Sequence, residues 1–295
     1  MSAEGEPESR NVPDQLLYLD NAATSYPKAP GVVEAVVEHL RDIAGNAGRG
    51  THTFAAMADR LLWETRRELG ALFGTREATR WAFTLNATDA LNAALKGYLR
   101  PGDHVIASPL EHNAVARCLR HLEKTRDVKI TRLPYVPGMG VDPNDVARLV
   151  RHNTRLVVAV HASNVTGEIL PVRELALEAH NRGLTILIDA TQTAGVLDLP
   201  AEAWGLDMVA CTGHKSLLGP QGTGALYVRP GLELEPPRQG GTGTQSERDE
   251  MPTDWPEAME AGTMNGPGLA GLLAALRWLR RKTVRAVRED ELVLM

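Results

Sequence analysis

Residues 208–228 read MVACTGHKSLLGPQGTGALYV, and the rest of the sequence is organised around this stretch. Two short β-type runs, residues 208–211 and 225–228, enclose a glycine-rich loop that contains one lysine, Lys215. Glycine lets such a loop turn tightly. A lysine in a loop is usually exposed, but a lysine in a partly dry pocket has a lowered pKa and attacks carbonyl groups.

An aspartate gives that lysine a chemical context. The β-type run at residues 184–188 reads LTILI, and Asp189 follows it directly. A carboxylate at a buried strand end is costly unless a salt bridge, a helix cap or a ligand pairs with it. A lysine that forms a Schiff base and an acid that pairs with a pyridinium nitrogen are the two requirements for holding pyridoxal phosphate. Gln192 could contact the ring hydroxyl, while Thr212 and His214 could hold the phosphate.

Strand-like and helix-like segments alternate through the middle of the sequence. The predicted strands are residues 81–85, 104–108, 128–133, 156–160, 184–188, 208–211 and 225–228. The run at 156–160, LVVAV, is entirely apolar, which is typical of a sheet buried on both faces. The alternation predicts an α/β fold with a mostly parallel central sheet flanked by helices.

In such sheets, ligands bind beyond the carboxyl ends of the strands. Five polar residues fall at or shortly after predicted strand ends: Thr88, His112, Asn164, Asp189 and Lys215. We therefore expect these side chains to converge on one crevice.

Two of these residues have plain structural alternatives. The first amide groups of the helix after Asn86, at Ala87 and Thr88, could cradle a phosphate together with the Thr88 hydroxyl. Alternatively, Thr88 could simply cap that helix. His112 could lie flat on a cofactor ring, or it could be a surface or capping histidine.

The segments at the two ends of the sequence differ from this α/β core. Residues 1–15 are polar and predict a flexible tail, and residues 16–19 predict a short strand. Helical spacing of apolar residues predicts helices at 32–43 and 54–73. Residues 238–260 predict a long loop, followed by helices at about 269–281 and 284–295.

Bulk properties exclude several classes of protein. The net charge of −5 gives no signal for nucleic-acid binding. The polar N-terminal stretch is not a secretory signal, and no apolar run approaches the roughly 20 residues of a transmembrane helix. Two widely spaced cysteines, Cys118 and Cys211, fit a reducing cytoplasm. No metal-binding motif is present, and Gly213 to Ser216 departs from a P-loop because His214 precedes the lysine.

Seven ordered motifs resemble one known family. They are YLDNAA (18–23), RGTHT (49–53), EHN (111–113), SNVTG (163–167), IDATQ (188–192), TGHK (212–215) and EAGT (260–263). Together they are similar to the class V aminotransferases, and among these to the cysteine desulfurases. The resemblance runs from about residue 16 to residue 280 and implies the large domain of the fold type I pyridoxal-phosphate enzymes.

The resemblance implies roles for individual residues. Lys215 and His112 would be catalytic, with Lys215 bound to the cofactor and His112 stacked on its ring. The implied cofactor-binding residues are Ala87, Thr88, His112, Asn164, Asp189, Gln192, Thr212, His214, Lys215 and Thr263. The implied substrate-binding residues are Ala23, Arg49, His52 and Asn164. Thr263 would reach the phosphate of a partner subunit, which implies a homodimer with shared sites.

The resemblance also implies a reaction and its partners. A cysteine desulfurase converts cysteine to alanine and passes the sulfur to an acceptor, which can be a protein. The family carries its sulfur-accepting cysteine and a substrate-binding arginine in a C-terminal small domain. We therefore expect a large domain at 16–266 and only the helical start of a small domain at 267–295.

Several alternatives stay open. Cys118 and Cys211 do not match the catalytic position and are expected in the core. A selenocysteine lyase, a kynureninase-like or epimerase-like enzyme, or a truncated non-catalytic pseudoenzyme would carry the same motifs.

Overall fold

A seven-stranded sheet forms the centre of the computed structural model, which describes residues 17–43, 45–48, 50, 52–244 and 247–294. The strands are β1 (Trp81–Thr84), β2 (His104–Ala107), β3 (Lys129–Arg132), β4 (Thr154–Val160), β5 (Thr185–Asp189), β6 (Met208–Thr212) and β7 (Gly224–Val228). Their order across the sheet is β1-β7-β6-β5-β4-β2-β3. Strand β7 runs antiparallel to both of its neighbours, and the other neighbouring pairs are parallel. The predicted mostly parallel sheet is confirmed.

Helices cover both faces of this sheet. They are α1 (Val32–Asp42), α2 (Thr53–Phe73), α3 (Ala87–Tyr98), α4 (Asn113–Arg126), α5 (Asp145–Leu149), α6 (Val172–His180), α7 (Gly266–Lys282) and α8 (Val284–Leu294). Short 3₁₀ turns occur at Ala78–Arg80 and Glu257–Met259, the second within the predicted long loop.

Alternating strand residues build a separate apolar core on each face. In β4, Val157 and Ala159 point to the core that α2, α6 and α7 cover, whereas Leu156 and Val158 point to the core beneath α3 and α4. All four side chains are fully buried. The uniformly apolar strand in the sequence is therefore explained by burial on both faces. The predicted domain boundary at residue 266 remains a prediction.

One expectation for the N-terminal segment is corrected and one is confirmed. The predicted strand at residues 16–19 is wrong, since residues 17–19 have no strand pairing and Leu17 and Leu19 are exposed; Leu16 lies outside the described residues. Apolar composition alone does not make a strand when the segment pairs with no other strand. Helix α1 is confirmed, but Val33 and Val37 of its apolar stripe face outward.

Candidate functional site

A cavity of about 290 Å³ lies at the carboxyl ends of the parallel strands. It brings together nine predicted site residues: Ala87, Thr88, His112, Asn164, Asp189, Gln192, Thr212, His214 and Lys215. They come from the ends of strands and from the segments that follow them, as the topology requires.

Close backbone packing sets the position of Lys215. The Gly213 amide donates to the Thr223 carbonyl at 2.8 Å, and a side chain at position 213 would overlap the Thr223 hydroxyl. The Leu218 amide donates to the Lys215 carbonyl at 2.8 Å, which turns the chain back after the lysine. Burial lowers the pKa of the Lys215 amine, while the negative charges of Asp189 and Asp20 oppose that shift. A larger fraction of the amine is therefore in its nucleophilic, neutral form than for an exposed lysine.

Residues of the N-terminal segment donate hydrogen bonds to the loop that contains Lys215. The His214 carbonyl accepts hydrogen bonds from the Ser25 amide at 2.9 Å and from the Thr24 hydroxyl and the Lys28 amine, both at 3.1 Å. The His214 imidazole lies 3.1 Å from the Thr24 hydroxyl. Burial lowers the pKa of His214, and the charges of Lys215 and Lys28 lower it further. These contacts immobilise the loop on the side away from the sheet.

Asp189 ends β5 and is only 2% exposed. Its Oδ1 accepts a hydrogen bond from the Thr191 amide at 2.9 Å, and it has no ion-pair partner within 4 Å among the described residues. Burial raises the pKa of Asp189, whereas the Thr191 hydrogen bond and the charges of His112 and Lys215 lower it. Neither the salt bridge nor the helix cap that the sequence left open is present, so this buried carboxyl group faces the cavity incompletely paired.

The first turn of α3 forms another wall of the cavity. Asn86, and not Thr88, caps this helix, since its side-chain oxygen accepts from the Asp89 amide at 2.9 Å. The alternative in which Thr88 caps the helix is therefore wrong. In the part of the chain that the structure describes, the amide groups of Ala87 and Thr88 make no hydrogen bond. Two free amides at a helix N-terminus are suited to bind an anion such as phosphate.

His112 lines the cavity at the start of α4. Its Nδ1 accepts a hydrogen bond from the Ala114 amide at 3.1 Å, so it caps that helix as well. His112 therefore caps the helix and also lines the cavity, and its position against a cofactor ring remains a prediction. Glu111, immediately before it, accepts hydrogen bonds from the Ser108 hydroxyl and from the Val160 amide.

An adjoining cavity of about 370 Å³ shares Ala162, Asn164, Gln192 and Lys215 with the first. Helix α8 contributes Arg288 and Glu291 to its wall, with their charged groups 3.6 Å apart. Sequence reasoning missed both residues, because the helical pattern of 284–295 does not indicate where that helix docks. The only available signal was a charged helix that follows the last motif.

Three predicted residues do not line the cavity that contains Lys215, and a fourth cannot be placed. Ala23 is exposed in the turn that begins at Asp20. His52 caps α2 by accepting from the Ala55 amide at 3.4 Å. Thr263 lies 3.5 Å from the Asn46 amide nitrogen and lines a separate cavity. Arg49 lies outside the described residues.

Both cysteines lie in the core. Cys118 is 5% exposed in α4, and Cys211 is 1% exposed in β6. Burial raises the pKa of the Cys118 thiol to about 11 and that of the Cys211 thiol to about 12. Neither lines the cavity, and neither is a thiolate at neutral pH.

None of the helices among the described residues combines the length and the apolar composition needed to cross a membrane.

Comparison with known proteins agrees with the geometry. The family model described as aminotransferase class-V matches residues 17–295. A probable cysteine desulfurase of Methanothermobacter thermautotrophicus is 35% identical over 92% of this chain, which spans 69% of that relative. A cysteine desulfurase of Nostoc sp. is 33% identical over 87% of this chain, which spans 61% of that relative.

Solved structures agree with this grouping. The apo structure of a cysteine desulfurase from Thermococcus onnurineus superposes on 93% of this chain, with a TM-score of 0.84 and 29% identity, and this chain spans 70% of that structure. SspA in complex with cysteine superposes on 88% of this chain, with a TM-score of 0.78 and 27% identity, and this chain spans 72% of that structure. The chain therefore belongs to the class-V aminotransferase family and is similar to its cysteine desulfurases.

Proposed function

We propose that this chain binds pyridoxal phosphate and acts on cysteine, as a cysteine desulfurase does. The observation that carries the proposal is one cavity lined by a half-buried lysine, Lys215, and a buried acid, Asp189. Family membership and the SspA structure, solved with cysteine, support the same function.

The residues of the cavity fit each part of this cofactor. Lys215 would hold the aldehyde carbon, and the incompletely paired Asp189 would accept a hydrogen bond from the ring nitrogen. The amides of Ala87 and Thr88, with Thr212 and His214, would hold the phosphate. His112 would cover the ring, Gln192 would contact its phenolic oxygen, and Asn164 would lie between cofactor and substrate. When bound, pyridoxal phosphate supplies an electron sink for charge that develops at the Cα of an amino acid.

The protein residues then have distinct tasks. Lys215 would carry the proton at the Cα of the bound amino acid, and the burial that lowers its pKa favours this role. Asp189, as a carboxylate, would hold a protonated ring nitrogen. On the substrate side we propose Asn164, Ala23, Arg49 and His52.

Sulfur transfer needs an accepting thiolate. Because Cys118 and Cys211 are buried away from the cavity, we propose that the acceptor is a thiol other than these two. The reaction would break the C–S bond of cysteine and yield alanine and a persulfide on that thiol.

A homodimer is proposed as the working unit. Helices α1 and α2 expose large apolar side chains that a second copy could cover: Val33, Val37, Leu40, Phe54, Met57 and Trp63. Thr263 lies in a separate cavity, which agrees with a role toward a partner's site.

We also propose that the protein is located in the cytoplasm, because both cysteines are free thiols, and that it takes part in sulfur metabolism.

The first experiment is an absorption spectrum with pyridoxal phosphate, followed by borohydride reduction and peptide mass mapping. We expect one adduct, on Lys215, and none at that peptide in Lys215→Ala. An adduct spread over surface lysines would contradict the cofactor site.

Release of alanine and sulfide from cysteine, with dithiothreitol as the acceptor, then tests the reaction. Lys215→Ala and free pyridoxal phosphate are the controls. Cofactor binding without release above these controls would favour a non-catalytic protein, a reading that the buried cysteines motivate. Faster turnover of selenocysteine, kynurenine or an epimerisable amino acid would favour the corresponding activity.

A further inference from the structure

The carboxyl group of Glu111 links the carboxyl ends of two neighbouring strands. Its Oε1 accepts a hydrogen bond from the Val160 amide at 2.7 Å and another from the Ser108 hydroxyl at 2.5 Å. Ser108 directly follows β2, and Val160 is the last residue of β4. Glu111 therefore joins the two strand ends immediately before the first turn of α4.

The surroundings of Glu111 do not compensate a negative charge. Its Oε2 is buried and has no hydrogen-bond partner among the described residues. The ion pairs among the described residues do not include Glu111. The other carboxyl group nearby is Asp189, which pairs with Val160 across β4 and β5. Burial raises the pKa of Glu111 to about 8; the charge of Asp189 adds to that shift, whereas Arg132 and the two hydrogen bonds oppose it.

The two neighbouring acids differ in their access to positive charge. Lys215 and His112 stabilise the ionised form of Asp189 across the cavity. For Glu111 the cation that acts is Arg132 alone, and it is the smallest of the influences on that group. The negative charge of Asp189 therefore disfavours the ionisation of Glu111.

We propose that Glu111 is a positioning residue that acts as the protonated acid: it clamps the end of β2 to the end of β4 and so fixes His112 at the cavity. The Oε1 atom is then the carbonyl oxygen that accepts both hydrogen bonds, and Oε2 carries the proton. The neutral acid leaves Asp189 as the ionised group next to the cavity. The consequence for cofactor binding rests on the proposed function, whereas the clamp is a property of the folded chain.

Glutamine reproduces the neutral acid and alanine does not, so the pair Glu111→Gln and Glu111→Ala tests the proposal. We expect the dissociation constant of pyridoxal phosphate, followed by absorbance at pH 7, to stay within threefold in E111Q. In E111A it should rise at least tenfold. An E111Q protein as weak as E111A would show that the charge is required, and an unchanged E111A would show that no clamp is needed. If E111A does not fold, Ser108→Ala removes one of the two donors, and unchanged affinity there counts against the clamp.

Two measurements without cofactor separate this inference from the proposed function. The infrared difference between the parent and E111Q at pH 6.5 should contain the carbonyl stretch of a protonated carboxyl group. A carboxylate band in its place would overturn the proposal. The imidazole NMR signal that is lost in His112→Gln should shift in E111A and stay in place in E111Q. Equal shifts in both variants, or none in E111A, would also overturn it. If the parent binds no pyridoxal phosphate, the proposed function fails while these two results still decide the role of Glu111.

Discussion

Two buried aspartates, at opposite ends of the neighbouring strands β5 and β6, differ in how many partners their carboxyl groups have. Asp207, just before β6, is 1% exposed and is fully engaged: its carboxylate accepts from the Ile186 amide at 2.8 Å, from His180 and from Arg229. Asp189, at the end of β5, is as deeply buried but has a single amide partner. A buried charge with a full set of partners serves the fold, whereas one left open toward a cavity is available for a ligand.

The largest effect that would test this comparison is the loss of cofactor binding in Asp189→Asn. We expect the affinity for pyridoxal phosphate to fall about 100-fold, because a hydrogen bond to a charged group contributes roughly 1.5–3 kcal/mol. Burial raises the pKa of Asp189, so the ionised form costs stability at neutral pH, and this cost is lost in asparagine. The free energy of unfolding without cofactor should therefore be unchanged or higher. A destabilised D189N variant with normal affinity would break the comparison.

The opposite result is expected for Asp207→Asn. This change weakens the contacts with Arg229 and His180, whose side chains are each about half exposed, so we expect a loss of about 2 kcal/mol in the free energy of unfolding. Chemical denaturation measures the loss. The affinity for pyridoxal phosphate, measured on the folded fraction, should match that of the parent. A cofactor-binding defect in this variant would show that contacts at the amino ends of the strands affect the cavity at their carboxyl ends.

The pH dependence of stability gives a smaller effect. Burial raises the pKa of Glu111 in the folded chain to about 8 from its ordinary value of 4.5. Between pH 4.5 and about pH 8, the folded chain therefore holds a proton that the unfolded chain has lost. The contribution of Glu111 to stability consequently falls as the pH rises through this range. The slope is at most about 1.4 kcal/mol per pH unit.

The Glu111→Gln variant isolates that contribution. The difference in unfolding free energy between the parent and E111Q should change through pH 5 to 8, in favour of E111Q at the alkaline end. Parallel curves for the two proteins would mean that Glu111 ionises normally.

The smallest effect is expected at His180. Its side chain is 40% exposed, and Asp207 keeps the Ile186 amide and Arg229 when it is removed. Thermal and chemical unfolding of His180→Gln should show a loss of about 0.5 kcal/mol or less. A loss as large as that of D207N would indicate that the partners of Asp207 are not redundant.

The residues that sequence reasoning located correctly follow strands. Thr88, Asp189 and Lys215 converge because parallel strands present their carboxyl ends at the same edge, which is a consequence of topology alone. The alternation of strand-like and helix-like segments predicted that topology, and the apolar run of β4 predicted a sheet buried on both faces.

Features that depend on docking could not be predicted in the same way. Helical periodicity predicts α8 but not that Arg288 reaches the cavity wall. The apolar residues of α1 that face outward have the same spacing as apolar residues on a buried helix face, so the sequence does not show that they are exposed. The cap at Asn86 was missed because Thr88 is an equally good capping residue by type.

The hydrogen bonds between the N-terminal segment and the loop of Lys215 bear on how the protein folds. The Thr24 hydroxyl and the His214 carbonyl are 190 positions apart in the chain, so the loop is fastened by a contact of very high sequence separation. Such contacts form late, since the entropy of closing a long loop is lost before the contact can compensate it. A nascent chain that has not yet emerged from the ribosome beyond His214 cannot hold Lys215 in place. The loop of Lys215 is therefore held in this way only after two distant parts of the chain have met.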